Sequence, residues 1–217
     1  KAFVLGNFKQ TISKDMAISN AVLEIIKTFK KYSIDMGYFY NKFYVYKEDY
    51  WNEISEEVIE VFIRDCCKNI YKNHIKFHTS SFYKSVKETY RDDLRVIIDN
   101  TENNVLLNLN NVTLEFSKEG FYPRDHNKND YLIYKLKYDY DENETCYMWD
   151  KFLNEMLPDE KHQLLLHQYI GYTFTNHLKL EKALFLYGEG GNGKSVVQEV
   201  ITKLLGKENT ASVSLGK

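Results

Sequence analysis

Eight consecutive residues, Gly188, Glu189, Gly190, Gly191, Asn192, Gly193, Lys194 and Ser195, satisfy the pattern G-x-x-x-x-G-K-[ST]. The glycines let the backbone turn with its N–H groups pointing inward, which makes a nest for phosphate oxygens. A helix opening at that point adds the positive end of its dipole. Lys194 carries the charge for the β- and γ-phosphates and is the catalytic candidate, while the Ser195 hydroxyl suits Mg²⁺. These residues predict binding of a nucleoside triphosphate, ATP with Mg²⁺. Hydrolysis asks for more: an acidic strand end, a water-orienting group and usually an arginine. None of these is recognisable after Ser195, and Ala211–Leu215 reads at most as the start of another strand. The chain is therefore expected to be a piece of a larger protein and inactive by itself.

A second chemistry is suggested by cations. Lys84, Lys87, Arg91 and Arg95 fall at i, i+3, i+7 and i+11, with Tyr83 and Tyr90 beside them, and Arg64, Lys68 and Lys72 make another line at i, i+4 and i+8. Such lines can neutralise DNA phosphates without reading sequence. The alternative is a solvated helix face, and Glu88, Asp92 and Asp93 dilute the first line. Other spacings carry less. Asp139-Tyr-Asp141-Glu-Asn143 begins like a calcium loop, but Glu144 stands where a glycine is required. His74 and His78 lie one turn apart without an apparent third zinc ligand. Cys66 has no neighbouring base that would make it a nucleophile.

The elements that must position these residues follow from periodicity. Val22, Ile25, Ile26 and Phe29 predict a helix capped by Ser19-Asn20 and ending at Lys30-Lys31. Tyr38–Tyr46 has period two, with a turn at Asn41-Lys42 and a second at Lys47–Asp49, which predicts an antiparallel meander. Its aromatic residues fit a sheet core better than a base-stacking platform. Ser55-Glu56-Glu57 opens a helix whose stripe reads Val58, Val61, Phe62, Cys66 and Ile70. Further expectations are a helix over 81–95, strands over 105–109, 112–116 and 131–136, and helices over 146–156 and 160–174. Trp149, Phe152 and Leu153 read as core. Ala183–Tyr187 predicts a buried strand ahead of the glycine loop. Val196, Val197, Val200, Ile201, Leu204 and Leu205 predict the helix after it, stopped by Gly206.

Composition bounds the rest. With 217 residues, 43% hydrophobic and 28% charged, the chain has the composition of a globular protein and the length of one domain, or of one plus part of another. No apolar run reaches the roughly 18 residues of a membrane span, and Lys1–Gly6 is too short an apolar stretch for a signal peptide. Three cysteines, two of them adjacent, exclude a disulfide framework and fit a reducing, cytoplasmic setting. Net charge is −2, so nucleic-acid binding would have to come from a local patch.

The segment Gln168-Tyr-Ile-Gly-Tyr-Thr-Phe-Thr, together with Phe185-Leu-Tyr-Gly-Glu-Gly-Gly-Asn-Gly-Lys-Ser195, resembles the primase–helicases of phages, plasmids and poxviruses. Upstream, Tyr44–Trp51, Leu107–Leu114, Tyr131–Tyr140 and Trp149–Leu153 are similar to the domain that precedes their motor. The resemblance runs from about Gly37 to Gly206, and it departs at Val112, where the family often has Gly. It implies a superfamily 3 helicase, an AAA+ ATPase that unwinds DNA as a homo-oligomeric ring, a hexamer, with single-stranded or forked DNA as its partner. The implied fold is an α+β N-terminal domain followed by the beginning of an α/β P-loop domain. The divisions are a helical segment 1–36, a pre-motor domain 37–176 and a truncated motor 177–217. A primase centre is not expected, because Val96-Ile-Ile-Asp99 offers one acid where a pair is needed. Two competing functions remain at this level: a DNA-binding or oligomerising collar without ATP turnover, and a small-molecule kinase.

Overall fold

The computed structural model describes residues 12–98, 105–175 and 180–213. They form two compact units, one of residues 12–98 with Lys128–Ile133, the other of residues 105–127 with 134–175 and 180–213. The units fall differently from the expected divisions at 36/37 and 176/177, because the first helix shares its core with the sheet and helices that follow. Asp99 and the end of Ala211–Leu215 lie outside the described residues; Ala211–Val213 has no strand.

The first unit begins with α1 (Lys14–Lys31). The Ser13 hydroxyl accepts from the Met16 N–H at 3.2 Å, so the cap lies six residues before the expected Ser19; such caps are worth about 1 kcal/mol. Strands β1 (Met36–Phe39), β2 (Lys42–Lys47) and β3 (Tyr50–Ile54) make the predicted meander. Its turns sit at Tyr40-Asn41 (φ 49° and 60°) and Glu48-Asp49 (φ 58° and 70°). Left-handed pairs of this kind match the twist of a two-residue hairpin, and that geometry sets the first turn one residue earlier than expected. The aromatic residues are core: Tyr38, Phe39, Phe43, Tyr44 and Trp51 are all buried.

Helices α2 (Glu56–Ile70) and α3 (Ser80–Leu94) complete this unit. The buried stripe of α2 is Ile59, Ile63 and Cys67, with Phe62 and Cys66 half-buried beside it, and the expected Val58, Val61 and Ile70 are exposed. The helix carries apolar residues on two faces, and packing selects the one that meets Ala17, Ala21 and Val22 of α1 and Val86 and Tyr90 of α3. The Tyr71 hydroxyl, just past α2, donates to the Ala17 carbonyl at 2.6 Å. Lys128–Ile133 is stitched on by Trp51, whose indole N–H donates to the Lys128 carbonyl at 2.7 Å and whose backbone N–H donates to Leu132 at 2.8 Å.

The second unit holds a three-stranded antiparallel sheet of β4 (Val105–Asn108), β5 (Thr113–Ser117) and β6 (Gly120–Arg124). The last strand was not expected from the sequence. The expected strand 131–136 does not form. Its first half belongs to the first unit, while Leu136 N–H donates to Asn108 O at 2.8 Å and Tyr134 Oη donates to Leu106 O at 2.9 Å. Asn108 and Thr113 are buried, and the Thr113 hydroxyl donates to Asn108 Oδ1 at 3.0 Å, so these polar groups are satisfied inside. Helices α4 (Tyr147–Met156), α5 (Glu160–Thr173) and α6 (Lys194–Leu205) complete the unit. They meet in one cluster around Leu153, Leu166, Ile170 and Val197.

Candidate phosphate-binding loop

The loop 188–193 runs directly into α6. Gly193 caps the helix with φ 75° and ψ 0°, a left-handed conformation, and Lys194 is the first helical residue. Gly188 has φ 155°, and a Cβ placed there would fall 1.8 Å from Asn192 Nδ2. A side chain at either position would rebuild the turn. Lys194 Nζ donates to the carbonyls of Gly188 at 2.7 Å and Glu189 at 2.9 Å and to Asn192 Oδ1. Its three protons are thereby all placed inside the loop. Glu189, Gly190, Gly191 and Ser195 are exposed, while Asn192, Gly193 and Lys194 are half-buried.

The expected strand Ala183–Tyr187 is not formed; the segment is irregular, with Phe185 85% and Tyr187 100% exposed. A strand exists through a hydrogen-bonded neighbour, and among the described residues this segment has none. Leu184 alone packs on the helical cluster. On α6, Val197 is buried and Ile201 and Leu204 pack beside it, whereas Val196 is exposed. Gly206, with φ 85°, ends the helix as expected.

The basic line on α3 is placed less simply. Lys84 is exposed. Lys87 is largely covered and bonds Glu56 Oε2 at 3.1 Å and Glu60 Oε1, which raises its pKa through the carboxylate hydrogen bonds, Glu60 first. The Arg91 and Arg95 guanidinium groups each approach Asp92 Oδ1 at 3.3 Å and lie 5.9 and 5.7 Å from the Tyr38 ring centre. Arg95 is also off the helix, since α3 ends at Leu94 and the chain turns extended to run beside β1, with Val96 N–H donating to Tyr38 O at 3.0 Å. From the second line, Arg64 reaches the same cleft as Lys84. That cleft, about 330 Å³ between α2 and α3, is lined by Glu60, Arg64, Tyr83, Lys84 and Lys87.

The remaining candidates are structural. His78 Nε2 lies 3.0 Å from the Tyr71 carbonyl, and His74 sits against the Tyr71 and Phe77 rings. Asp139 accepts from Asn110 Nδ2 at 2.8 Å, and Asp141 accepts from the Asn143 N–H at 2.9 Å. No cluster of three or more His, Cys, Asp or Glu able to hold a metal ion occurs among the described residues. Burial raises the Cys66 thiol pKa, which disfavours the thiolate. Among the described residues no helix is long and apolar enough to cross a membrane.

Comparison with known proteins adds two findings. The sequence pattern of a family described as "D5 N terminal like" matches residues 23–158, more than half of the chain. Over 130 residues the chain is 29% identical to the protein named "Putative helicase 121R" of Invertebrate iridescent virus 3. The aligned stretch covers 58% of this chain and 13% of that relative, so the chain spans a small part of the relative's length.

Proposed function

Because the chain belongs to the D5 N terminal like family, whose domain is found in primase–helicase proteins, we propose that it carries the first nucleotide-binding element of a replicative DNA helicase. The reading rests on one observation: a left-handed Gly193 delivers Lys194 to the first position of a twelve-residue helix, with its ammonium group turned into a glycine loop. In this reading the backbone N–H groups of residues 189–194 bind the phosphate oxygens, and α6 sets the positive end of its dipole behind them. Lys194 exchanges the three loop oxygens it now holds for β- and γ-phosphate oxygens. The exposed Ser195 hydroxyl is one protein ligand for Mg²⁺, which fits an ion that takes few protein ligands and completes its shell with water and phosphate. When bound, the ion neutralises charge as the terminal phosphate is cleaved.

The helicase of which this chain is a part would bind single-stranded or forked DNA, turn over ATP and unwind duplex as a homo-oligomeric ring, a hexamer, as the resemblance of Gln168–Ser195 to superfamily 3 motors implies. Lys194→Ala in the full-length protein is the test. It removes a charge and no core atom, so circular dichroism should be unchanged while ATPase and unwinding are lost. Normal turnover by that variant would refute the phosphate-loop reading.

A further inference from the structure

Besides the bonds that Lys194 makes within it, the loop is packed against another helix at one end only. At Gly190 and Gly191 a Cβ would meet nothing within 4 Å. At Gly193 it would meet Phe152 Cζ at 2.7 Å, Phe152 Cε2 at 2.9 Å and Met156 Cγ at 3.2 Å. Phe152 and Met156 come from α4, about forty residues earlier, inside the stretch that carries the family pattern. Phe152 is itself braced. Trp149 stacks on it with ring centres 5.6 Å apart and planes 26° apart, and the Trp149 indole N–H donates to His167 Nε2 on α5 at 3.0 Å. Leu153, the next residue, is 1% exposed and packs with Val197 of α6, so α4 and α6 cannot slide independently.

We propose that Phe152, backed by Trp149, is a positioning residue for nucleotide binding: its ring edge is the seat that fixes the left-handed turn at Gly193, and with it the first turn of α6 and Lys194. The inference rests on the phosphate-loop reading. The loop bears its open half, Glu189–Gly191, to solvent, where phosphate can enter, while its anchored half is pre-ordered before the ligand arrives. Pre-ordering spares the ligand the entropy of fixing that turn. Coupling is reciprocal, so nucleotide occupancy must also be felt at Phe152 and Trp149. Glycine is required at 193 twice over, for the sign of φ and for the ring that lies against it.

The geometry makes an unusual demand. Cζ is the nearest ring atom, so Phe152→Tyr adds its oxygen at the contact with Gly193, a change that a merely half-buried core phenylalanine would tolerate. In the full-length protein carrying Trp51→Phe, Trp149 becomes the sole tryptophan of the present 217 residues. Binding of the magnesium complex of a non-hydrolysable ATP analogue is measured by calorimetry, and Trp149 emission is followed in the same titration. The expected results are a saturable change in Trp149 emission and affinity about tenfold weaker in Phe152→Ala and Phe152→Tyr, the scale of one backbone residue left to be ordered on binding. Phe152→Leu, which keeps bulk without reaching the glycine, should fall between. Circular dichroism and melting temperature screen for folding, and Phe152→Leu serves if the alanine variant unfolds. Wild-type affinity in both Phe152→Tyr and Phe152→Leu, or a silent Trp149 while calorimetry shows binding, overturns the inference and leaves the phosphate loop standing. Absence of binding in the parent protein overturns the phosphate loop itself.

Discussion

Replacing Tyr90 by Phe should make the first unit more stable, against the usual direction of a core substitution. Tyr90 is fully buried between α1, α2 and β2, with its ring stacked near Phe29 and Phe43 at 6.3 Å from each. Its hydroxyl has no hydrogen-bond partner among the described residues. An unpartnered hydroxyl held away from water costs about 1–3 kcal/mol in mutational terms. Deleting it recovers that cost and forfeits the packing of one oxygen atom, roughly 0.5–1 kcal/mol. The net expectation is a gain of about 1 kcal/mol. At a urea slope of about 2 kcal/mol per molar, the unfolding midpoint should rise by roughly 0.5 M with the slope unchanged. Trp51 lies in this unit and reports its unfolding when Trp149 is replaced by Phe, which keeps the second unit out of the signal. A midpoint that falls by a similar amount would mean the hydroxyl is bonded in solution, and the accounting of this core would be wrong.

Alkaline pH should destabilise the same core. Burial pushes the Cys67 thiol from 9.0 up to about 12 and the Tyr71 phenol from 10.0 up to about 12, and it raises Tyr90 as well. Above about pH 9 the unfolded chain releases protons that the folded chain keeps, so stability is full below that pH and declines as pH rises toward the folded values. Urea midpoints from pH 8 to pH 10.5 should therefore fall, and less steeply in Tyr71→Phe; a flat profile counts against it. Lys87→Glu would set a third carboxylate between Glu56 and Glu60 and should cost about 1 kcal/mol, read as a lower melting temperature. Lys84→Glu and Arg64→Glu should leave the melting temperature within experimental scatter. If their cleft meets DNA, each should reduce the log–log salt slope of binding by about 0.7 on single strands or 0.9 on duplex, measured by anisotropy on single-stranded and forked DNA. An unchanged slope would make the cleft a solvated surface.

Sequence periodicity identified the helices well because each helix closes its own hydrogen bonds. The ends and faces were less legible. Ser19-Asn20 has the right residue types for a cap, yet Ser13 takes the role because Ala17 and Ala21 extend the buried stripe of α1 upstream, and alanine is a weak hydrophobic signal. On α2, two apolar sets both satisfy helical spacing; only the partners on α1 and α3 choose Ile59, Ile63 and Cys67. The strand expected over 131–136 failed for a related reason. Its alternation is real, but Tyr131 at its start has φ 51°, and its two halves, 131–133 and 134–136, bond within different units. In strands the deciding bonds are made to residues remote in sequence, and a local pattern carries no record of them.

The candidate site divides along the same line. Everything that the glycine loop needs to approach a phosphate is local: the sign of φ at Gly193, the room that Gly188 leaves for Asn192, and Lys194 at the head of a helix. That part is written in eight consecutive residues, and any glycine-rich strand–helix turn with Lys-Ser would write it similarly. What distinguishes this loop is its platform. Trp149 and Phe152 read as ordinary core because aromatic residues on a short helix nearly always are; nothing in their spacing points to residue 193. Core and site are the same object here, since the ring that fills the interior also limits the turn. The basic line shows the converse. Four cations at good helical spacing looked like one surface, but Lys87 is tied to two carboxylates, two arginines share Asp92, and Lys84 faces the cleft beside Arg64 from another helix. Charge in a sequence is additive, whereas the field a ligand meets depends on which charges are already spent on one another. The surface to be tested for DNA is therefore the cleft in which Lys84 sits beside Arg64, whose guanidinium lies 3.6 Å from Asp65, a grouping that neither line of the sequence contains.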